Sequence, residues 1–372
     1  MGKRRANGEG SIYKRSDGRW CATVSVDGGR RKSFYGRRRE DVALRLATAL
    51  KARQDGLPVV GEQETLEHYL TKWLEGVGPS LRYKTSERYG QVVRLHVLRI
   101  LGRIRLGRLG PEHLQRLYAQ CLKAGLAPGT VRQIHAVIHH ALRDALRWGM
   151  VARNVATLVS PPRQQRREIQ ALSAEQVRLL LEAAQGDPLE ALYVLAVTTG
   201  MRRGEVMALR WQDVDLERAT VQVRGSLQPT RDGPRIVEPK TAQSRRQVAL
   251  TQRAVDAIRQ HRVRQAEERL RAGPGWEDHD LVFPCGTGRP LNPTSLRRSF
   301  MPLVRRAGLP PIRFHDLRHT AATLMLVQGV HPKVASEMLG HSNIAMTLDL
   351  YSHVTPTMQR QAAEALDAVL RV

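Results

Sequence analysis

The stretch TTGMRRGEVMALRW (Thr198–Trp211) decides the architecture of the second half of this 372-residue chain. Apolar residues at helical spacing precede and follow it, which predicts helices near 188–199 and 204–210. Gly200 and Gly204 mark a break between them, because glycine adopts turn conformations that other residues avoid. The pattern predicts that Arg202 is presented at a turn between two apolar helices.

Three later segments carry further polar residues at defined spacing. FHDLRHT predicts the start of a helix with His315 and Arg318 three residues apart, on one face. EMLGHS ends a predicted helix at Gly340, so that His341 falls in the next turn. TLDLYSHV then offers Tyr351 ten residues later. These residues are candidates for one site.

Lys240 lies in EPKTAQSRR, a loop between predicted short strands at 235–239 and 246–250. Only nine of the 60 Lys and Arg residues are Lys. A lysine ammonium can release a proton when its pKa is lowered, whereas a guanidinium is too weak an acid. Lys240 is therefore a candidate proton donor, although a plain surface lysine would produce the same sequence.

The inventory of two Arg, one Lys, two His and one Tyr, with no pair of acids, fits phosphoryl transfer without a metal ion. Two guanidinium groups can hold the non-bridging oxygens of a phosphate and the charge that builds on them. A Tyr hydroxyl can act as the nucleophile once its surroundings activate it, since its ordinary pKa is about 10. Lys240 can protonate the departing alkoxide.

The chain is strongly basic, with 60 Lys and Arg against 35 Asp and Glu and a net charge of +25. Such a surface attracts polyanions, so nucleic acid is the first candidate partner and an anionic membrane the second. No apolar run approaches the roughly 18 residues of a transmembrane helix, and MGKRRANGEG lacks the apolar core of a secretory signal. The three cysteines are too far apart for a disulfide framework or a CxxC-type zinc site. We expect a protein of the reducing cytoplasm.

Residues 1–61 predict a three-stranded sheet followed by a helix from about residue 40 to 54. Asp-Gly turns at 17–18 and 27–29 separate β-rich runs. This segment carries 15 basic and 6 acidic side chains. Because a β-sheet can enter a DNA major groove, we interpret it as a small DNA-binding module. A small domain with a solvated charged face is the alternative.

The rest of the chain predicts a helical domain, a linker and a larger second domain. Residues 62–155 read as four helices, and 156–170 as a Pro- and Arg-rich linker. Residues 171–372 read as mainly helical with a small antiparallel sheet, beginning with a capping box at Ser173. His135 and His139 are spaced for a shared metal, but no carboxylate or Cys completes a ligand set. The predicted fold class is multidomain, mainly α with small antiparallel β-sheets.

Taken together, TTGMRRGE, the Lys240 loop, HDLRHT, LGHS and LYSHV resemble the motifs of tyrosine recombinases of the phage-integrase family, over residues 171–355. The helical unit is similar to that family's core-site-binding domain, and the N-terminal sheet resembles its arm-type-site-binding domain. The resemblance implies that Glu205 supports the active-site architecture. It also implies a catalytic set with no departure from the family pattern, namely Arg202, Lys240, His315, Arg318, His341 and Tyr351.

The mechanism that the resemblance implies agrees with the chemistry of the residues. Tyr351 attacks a phosphodiester and forms a 3′-phosphotyrosyl bond, while Lys240 protonates the 5′-oxygen and the two arginines brace the phosphate. His315 assists proton transfer at Tyr351, and His341 donates a hydrogen bond to the phosphate. The bond energy stays in the protein–DNA link, so no ATP, metal or other cofactor is expected.

The resemblance also implies partners. They are double-stranded DNA, at core-type and arm-type attachment sites, and three further copies of the chain in a synaptic homotetramer that passes through a Holliday junction. The tail at 359–370 is apolar on one side and packs either on a neighbouring subunit or on its own. The sequence leaves open whether an excisionase or a DNA-bending protein takes part, and whether cleavage occurs in cis or in trans.

Four other functions compete with this interpretation. A non-catalytic DNA-binding regulator would not need the six-residue set. A type IB topoisomerase-like enzyme would share the chemistry without strand exchange, and a chromosome-dimer resolvase generally lacks the N-terminal module. A metal-dependent DDE integrase would need three acids at one site, and no such pattern is present in the sequence.

Overall fold

The computed structural model describes residues 10–25, 31–54, 64–164, 170–231, 233–238, 245–341, 343–344, 347–348, 367 and 370. Lys240 and Tyr351 lie outside these residues, as do the predicted turn at 27–29 and most of the tail at 359–370. The chain divides into two compact units, Met1–Arg166 and Arg167–Val372.

The first unit begins with the predicted three-stranded sheet and helix, which are confirmed. Strands β1 (Ser11–Lys14), β2 (Trp20–Ser25) and β3 (Arg31–Gly36) pair antiparallel in that order, and helix α1 (Arg39–Gln54) follows. Gly18 turns the first hairpin with φ +81°, a conformation that favours glycine. The sheet and α1 share one small core formed by Ala22, Val24, Phe34, Val42, Leu46 and Ala49.

The same unit continues as a helical domain around a second core. Its helices are α2 (Leu66–Val77), α3 (Tyr83–Val92), α4 (Leu98–Leu101), α5 (Pro111–Lys123) and α6 (Pro128–Arg147), and a π-helical segment, Val93–Val97, joins α3 to α4.

Val155, Ala156 and Val159 are buried in this second core. Asn154 holds them there, because its side chain accepts a hydrogen bond from the Ala156 amide at 3.0 Å. The helical core therefore extends past residue 156, where the linker was predicted to begin.

The second unit is mainly helical. Its helices are α7 (Ala174–Ala183), α8 (Glu190–Thr199), α9 (Arg203–Val206), α10 (Gln252–Ala272), α11 (Pro293–Arg306), α12 (Asp316–Val327) and α13 (Pro332–Leu339). The predicted capping box at the start of α7 is confirmed, since the Gln176 amide donates to the Ser173 hydroxyl at 3.1 Å and the Ser173 amide to the Gln176 side chain at 3.0 Å.

The described strands of this unit form two sheets, where the sequence predicted one. Strands β4 (Val214–Asp215), β5 (Thr220–Val223) and β8 (Arg246–Ala249) form an antiparallel sheet in that order, while β6 (Ser226–Thr230) and β7 (Gly233–Val237) form a separate hairpin. The predicted strands at 235–239 and 246–250 thus belong to different sheets. Pro229 and Pro234 face each other in the hairpin, and proline cannot donate to a further strand.

Helix α8 runs through the main core, with eight of its ten residues buried. Helix α9 is shorter than the predicted 204–210 and ends at Val206. The chain leaves helical geometry there because its backbone finds other partners: the Leu209 carbonyl accepts from the Val282 amide at 2.9 Å, and the Trp211 amide donates to the Asp280 carbonyl at 2.9 Å.

Candidate active site

The ends of the four helices α8, α9, α12 and α13 meet in the second unit. Helix α8 ends at Gly200, whose φ of +64° turns the chain toward Arg202 at the start of α9. A side chain at position 200 would lie 2.4 Å from a methyl group of Leu339 in α13. Glycine is therefore required here both by its backbone conformation and by the close approach of α13.

Arg202 is held by contacts on two sides. Its Nη1 donates to Oε1 of Glu205 at 2.8 Å, and its backbone amide donates to Oε2 of the same carboxylate at 2.9 Å. Its Nη2 donates to the Gly340 carbonyl at 2.6 Å. The side chain nevertheless keeps 36% of its surface exposed, so the guanidinium is fixed in direction and still accessible.

Arg318 lies in the first turn of α12 and is buried. Its Nη1 donates to the carbonyls of Gly200 at 2.8 Å and Leu339 at 2.6 Å. Its Nη2 is buried and has no hydrogen-bond partner among the described residues. Burial lowers the pKa of Arg318 to about 9, and the nearby positive charges of Arg202 and Arg246 act in the same direction. Such a site is short of negative charge, and an anion would supply it.

Glu205 is the carboxylate that offsets these cations. It is 5% exposed, and its Oε2 also accepts from Nη2 of Arg246 at 2.9 Å. Burial acts to raise the pKa of Glu205, but the hydrogen bonds and charges of Arg246 and Arg202 outweigh it and leave the pKa below its usual value. Glu205 is therefore ionised at neutral pH and buried between two guanidinium groups.

Sequence reasoning missed Arg246. Its side chain is 7% exposed, and its Nε donates to the Met338 carbonyl at 2.6 Å. Two signals were available: the Arg245-Arg246 pair follows the Lys240 loop, and strand alternation places Arg246 on the same face as the buried Val248. Neither signal identifies Glu205 as a partner.

Of the two candidate histidines, His341 is half-buried, whereas His315 is exposed. Nδ1 of His341 lies 2.8 Å from the Thr347 hydroxyl, directly after the Gly340 turn. Burial, reinforced by the charges of Arg318 and Arg202, lowers the pKa of His341 to about 4. His315 is the N-cap residue of α12, with its ring centre 5.2 Å from that of His319. Partial desolvation, followed by the effects of His319 and Arg318, lowers the pKa of His315 to about 4. Both imidazoles are neutral at pH 7.

The structure thus brings four of the predicted residues into one connected cluster: Arg202, Glu205, Arg318 and His341. His315 stands at the start of the helix that carries Arg318. Lys240 and Tyr351 are outside the described residues, and the described chain resumes at Arg245 and continues into Arg246 of the cluster. The arrangement can bind an anion such as a phosphate between two guanidinium groups, with neutral imidazoles beside it.

Two other predicted features have structural outcomes. Nδ1 of His135 lies 2.8 Å from the Tyr118 hydroxyl, and its ring lies 6.0 Å from that of His139. Across the described part of the chain, no group of three or more His, Cys, Asp or Glu is placed to share a metal ion. Among the described helices, none is long and apolar enough to cross a bilayer.

Comparison with known families finds two matches along the chain. Residues 170–358 match the model of the "Phage integrase family", and residues 65–122 match "Phage integrase, N-terminal SAM-like domain". The first match contains the whole cluster and also Lys240 and Tyr351. The second covers α2 to α5 of the helical domain.

Curated relatives match over nearly the full length. An "Integrase" from Streptomyces ambofaciens is 31% identical, covering 100% of this chain and 99% of the relative. A "Tyrosine recombinase XerC-like" protein from Caldanaerobacter subterraneus is 30% identical over 91% of both chains.

Solved structures share the fold. The integrase of the Tn1549 transposon, in complex with transposon right end DNA, superposes with a TM-score of 0.70 at 22% identity, covering 82% of this chain and 99% of that one. A lambda integrase tetramer bound to a Holliday junction gives 0.59 at 19% identity, covering 93% and 96%. At these identities the likeness supports the architecture alone.

Proposed function

Because this chain belongs to the phage integrase family and is a tyrosine-type site-specific recombinase that acts on DNA, we propose that Tyr351 is its nucleophile and that the cluster around Arg202 and Arg318 is its phosphate site. The observation that carries the proposal is the buried Nη2 of Arg318, which has no hydrogen-bond partner in the described part of the chain and lies in a site where positive charge exceeds negative charge. A phosphodiester supplies both the acceptor and the charge.

The reaction balances with residues of this chain alone. The Tyr351 oxygen attacks phosphorus and forms a 3′-phosphotyrosyl bond, and His315, neutral at pH 7, accepts the phenolic proton. The bond from phosphorus to the 5′-oxygen breaks, and Lys240 protonates that oxygen. Arg202, Arg318 and His341 stabilise the charge on the non-bridging oxygens. A 5′-hydroxyl of a partner strand reverses the same step, so no ATP is consumed.

The larger assembly is part of the same proposal. By analogy with the lambda integrase tetramer on a Holliday junction, two rounds of strand exchange in a homotetramer would recombine attachment sites of a mobile element and a bacterial chromosome. The helical domain would contact core-type sites, and the N-terminal sheet would contact arm-type sites. Such substrates would place the reaction in the bacterial cytoplasm.

The test begins with sequencing of the junctions formed between the element's ends and the chromosome, which identifies the core site. Wild-type protein and Tyr351→Phe are then incubated with a nicked core-site duplex and analysed on denaturing gels. We expect a covalent protein–DNA adduct with the wild type and none with Tyr351→Phe, which lacks the nucleophilic oxygen.

Two controls separate the alternatives. Tyr351→Phe should bind the duplex as tightly as the wild type, and EDTA should leave adduct formation unchanged. No adduct with either protein would favour a DNA-binding regulator. Cleavage of the duplex by Tyr351→Phe would assign the chemistry to another group. Loss of wild-type adduct formation in EDTA would do the same.

A further inference from the structure

Arg246 is buried at the start of β8 and is bonded to two parts of the candidate active site at once. Its Nη2 reaches Glu205 at 2.9 Å, and its Nε reaches the Met338 carbonyl at 2.6 Å. We propose that Arg246 is a positioning residue of the recombination reaction, which orients Arg202 through Glu205 and places His341 through the end of α13. The inference rests on the proposed function, because it assigns a role within the same site.

The first half of the argument concerns Glu205. Its Oε2 is shared between the Arg202 amide and Nη2 of Arg246, while its Oε1 receives Nη1 of Arg202. The carboxylate can turn about its terminal torsion unless both oxygens are held. Arg202 itself binds both oxygens, and Arg246 adds a second donor to Oε2 from a different element of the fold. The orientation of the carboxylate, and with it the direction of the Arg202 guanidinium, therefore depends on Arg246 as well.

The second half concerns the last turn of α13. Three successive carbonyls, at residues 338, 339 and 340, each receive a guanidinium: Arg246 binds the first, Arg318 the second and Arg202 the third. A helix leaves its last carbonyls without partners and carries partial negative charge at that end. The three arginines donate hydrogen bonds to these carbonyls and offset the partial negative charge. His341 directly follows Gly340, the last of the three residues.

The shape of the guanidinium explains why this position is an arginine. Nε and Nη2 point along one edge of a planar group, and they reach two acceptors that belong to different elements of the fold. A lysine ammonium is a point charge that would offset Glu205 but would not hold both acceptors in fixed directions. Lysine at this position should keep the charge of the site and lose part of its geometry.

The experiment measures single-turnover cleavage of the nicked core-site duplex at saturating full-length protein, for Arg246→Gln and Arg246→Lys. The rate constant reports on the geometry of folded molecules, whereas the amplitude reports on the fraction that is folded. DNA affinity is measured separately by titration with the same duplex. Arg264→Gln is the matched control, because Arg264 also binds a carbonyl, that of Asp187, and lies 4.0 Å from Glu190, outside the cluster.

We expect Arg246→Gln to lower the cleavage rate constant by about 10- to 100-fold, since a misplacement of about 1 Å in a catalytic group can cost about 100-fold. Arg246→Lys should be intermediate, DNA affinity should change little, and Arg264→Gln should cleave at the wild-type rate constant. In a Glu205→Gln background the loss caused by Arg246→Gln should shrink at least about threefold, because the two residues act as one unit.

A lower amplitude with an unchanged rate constant, in either Arg246 variant, would overturn the proposal and leave Arg246 a purely structural residue. The proposal would also be overturned if Arg246→Gln lowered the cleavage rate constant equally in the wild-type and Glu205→Gln backgrounds. If Arg246→Gln does not fold, Arg246→Lys decides alone, since it keeps the buried positive charge. Absence of an adduct with the wild type would contradict the proposed function instead.

Discussion

His315 and His341 are kept neutral by their surroundings, and this property belongs to the individual residues. Desolvation is the largest cause in both cases, and positive charge nearby adds to it. A neutral imidazole can accept a proton from a phenol or donate a hydrogen bond without adding to the charge of the site. The same desolvation makes protonation of the rings unfavourable for the fold, and the half-buried His341 should contribute more of this effect than the exposed His315.

The free energy of unfolding should therefore fall as the pH is lowered from about 7 to 5. The folded-state pKa of each ring is about 4, below the ordinary value of 6.5, so the unfolded chain binds more protons in this range. Stability from these two residues is fully present above about pH 6.5 and is lost as the pH falls toward 4. Urea denaturation at several pH values measures the slope.

The double variant His315→Gln/His341→Gln should show a shallower slope than the wild type over the same range. His68→Gln serves as the control, because His68 lies on α2, outside the site. A slope that the double variant leaves unchanged would mean that other groups account for the acid sensitivity.

At the scale of elements, the candidate site is made from helix ends. The C-terminal ends of α8 and α13 supply the backbone carbonyls of Gly200, Leu339 and Gly340. Arg202 at the start of α9 and Arg318 at the start of α12 donate hydrogen bonds to these carbonyls. Left-handed glycines at 200 and 340 end the two carbonyl-bearing helices. The arginines that are proposed to bind phosphate are thus oriented by backbone groups.

Gly340→Ala should reduce both stability and cleavage. The residue has φ +66°, and an added Cβ would lie 2.7 Å from the Arg246 guanidinium. The strained backbone alone should cost about 1–2 kcal/mol in the free energy of unfolding, and displacement of Arg246 should slow cleavage by at least about tenfold if positioning there matters. Thermal denaturation and the single-turnover assay measure the two effects.

Gly329→Ala is the matched control for this substitution. Gly329 follows α12 with a similar φ of +77°, but an added Cβ would meet nothing within 4 Å. It should lose a comparable amount of stability and keep the wild-type cleavage rate constant. Equal effects of the two variants on cleavage would attribute the loss at Gly340 to backbone strain and not to Arg246.

At the scale of the whole molecule, most of the net charge of +25 belongs to the first unit: residues 1–166 carry +19 and residues 167–372 carry +6. The N-terminal module has its own core, separate from the core of the helical domain. A core of its own is what a separate DNA-binding module requires. Linked contacts of this kind raise overall affinity through effective concentration.

Removal of residues 1–61 should leave adduct formation on the core-site duplex largely intact and weaken integration by about 100-fold, as expected when one of two linked binding modules is lost. The two activities are compared with the same preparation, by denaturing gel for the adduct and by counting integrants for the complete reaction. An equal loss of both would contradict a separate arm-binding role.

Local patterns in the sequence predicted most elements of the fold, because helices and hairpins depend on neighbours a few residues apart. The capping box at Ser173 and the turn at Gly18 are examples. The prediction of strand pairing failed where the partners are distant in the sequence. Strand β5 pairs with β8 across the β6–β7 hairpin, and no local signal at residue 246 specifies that partner.

Residue types at motif spacing were enough to predict which groups could hold a phosphate, attack it and protonate the leaving oxygen. How the described members of that set are held became visible in the folded chain alone. Arg202 and Gly340 are 138 residues apart, and Arg246 and Met338 are 92 apart. Contacts over such separations follow from how the cores pack helix ends together, and packing is a property of the folded chain that no short pattern encodes.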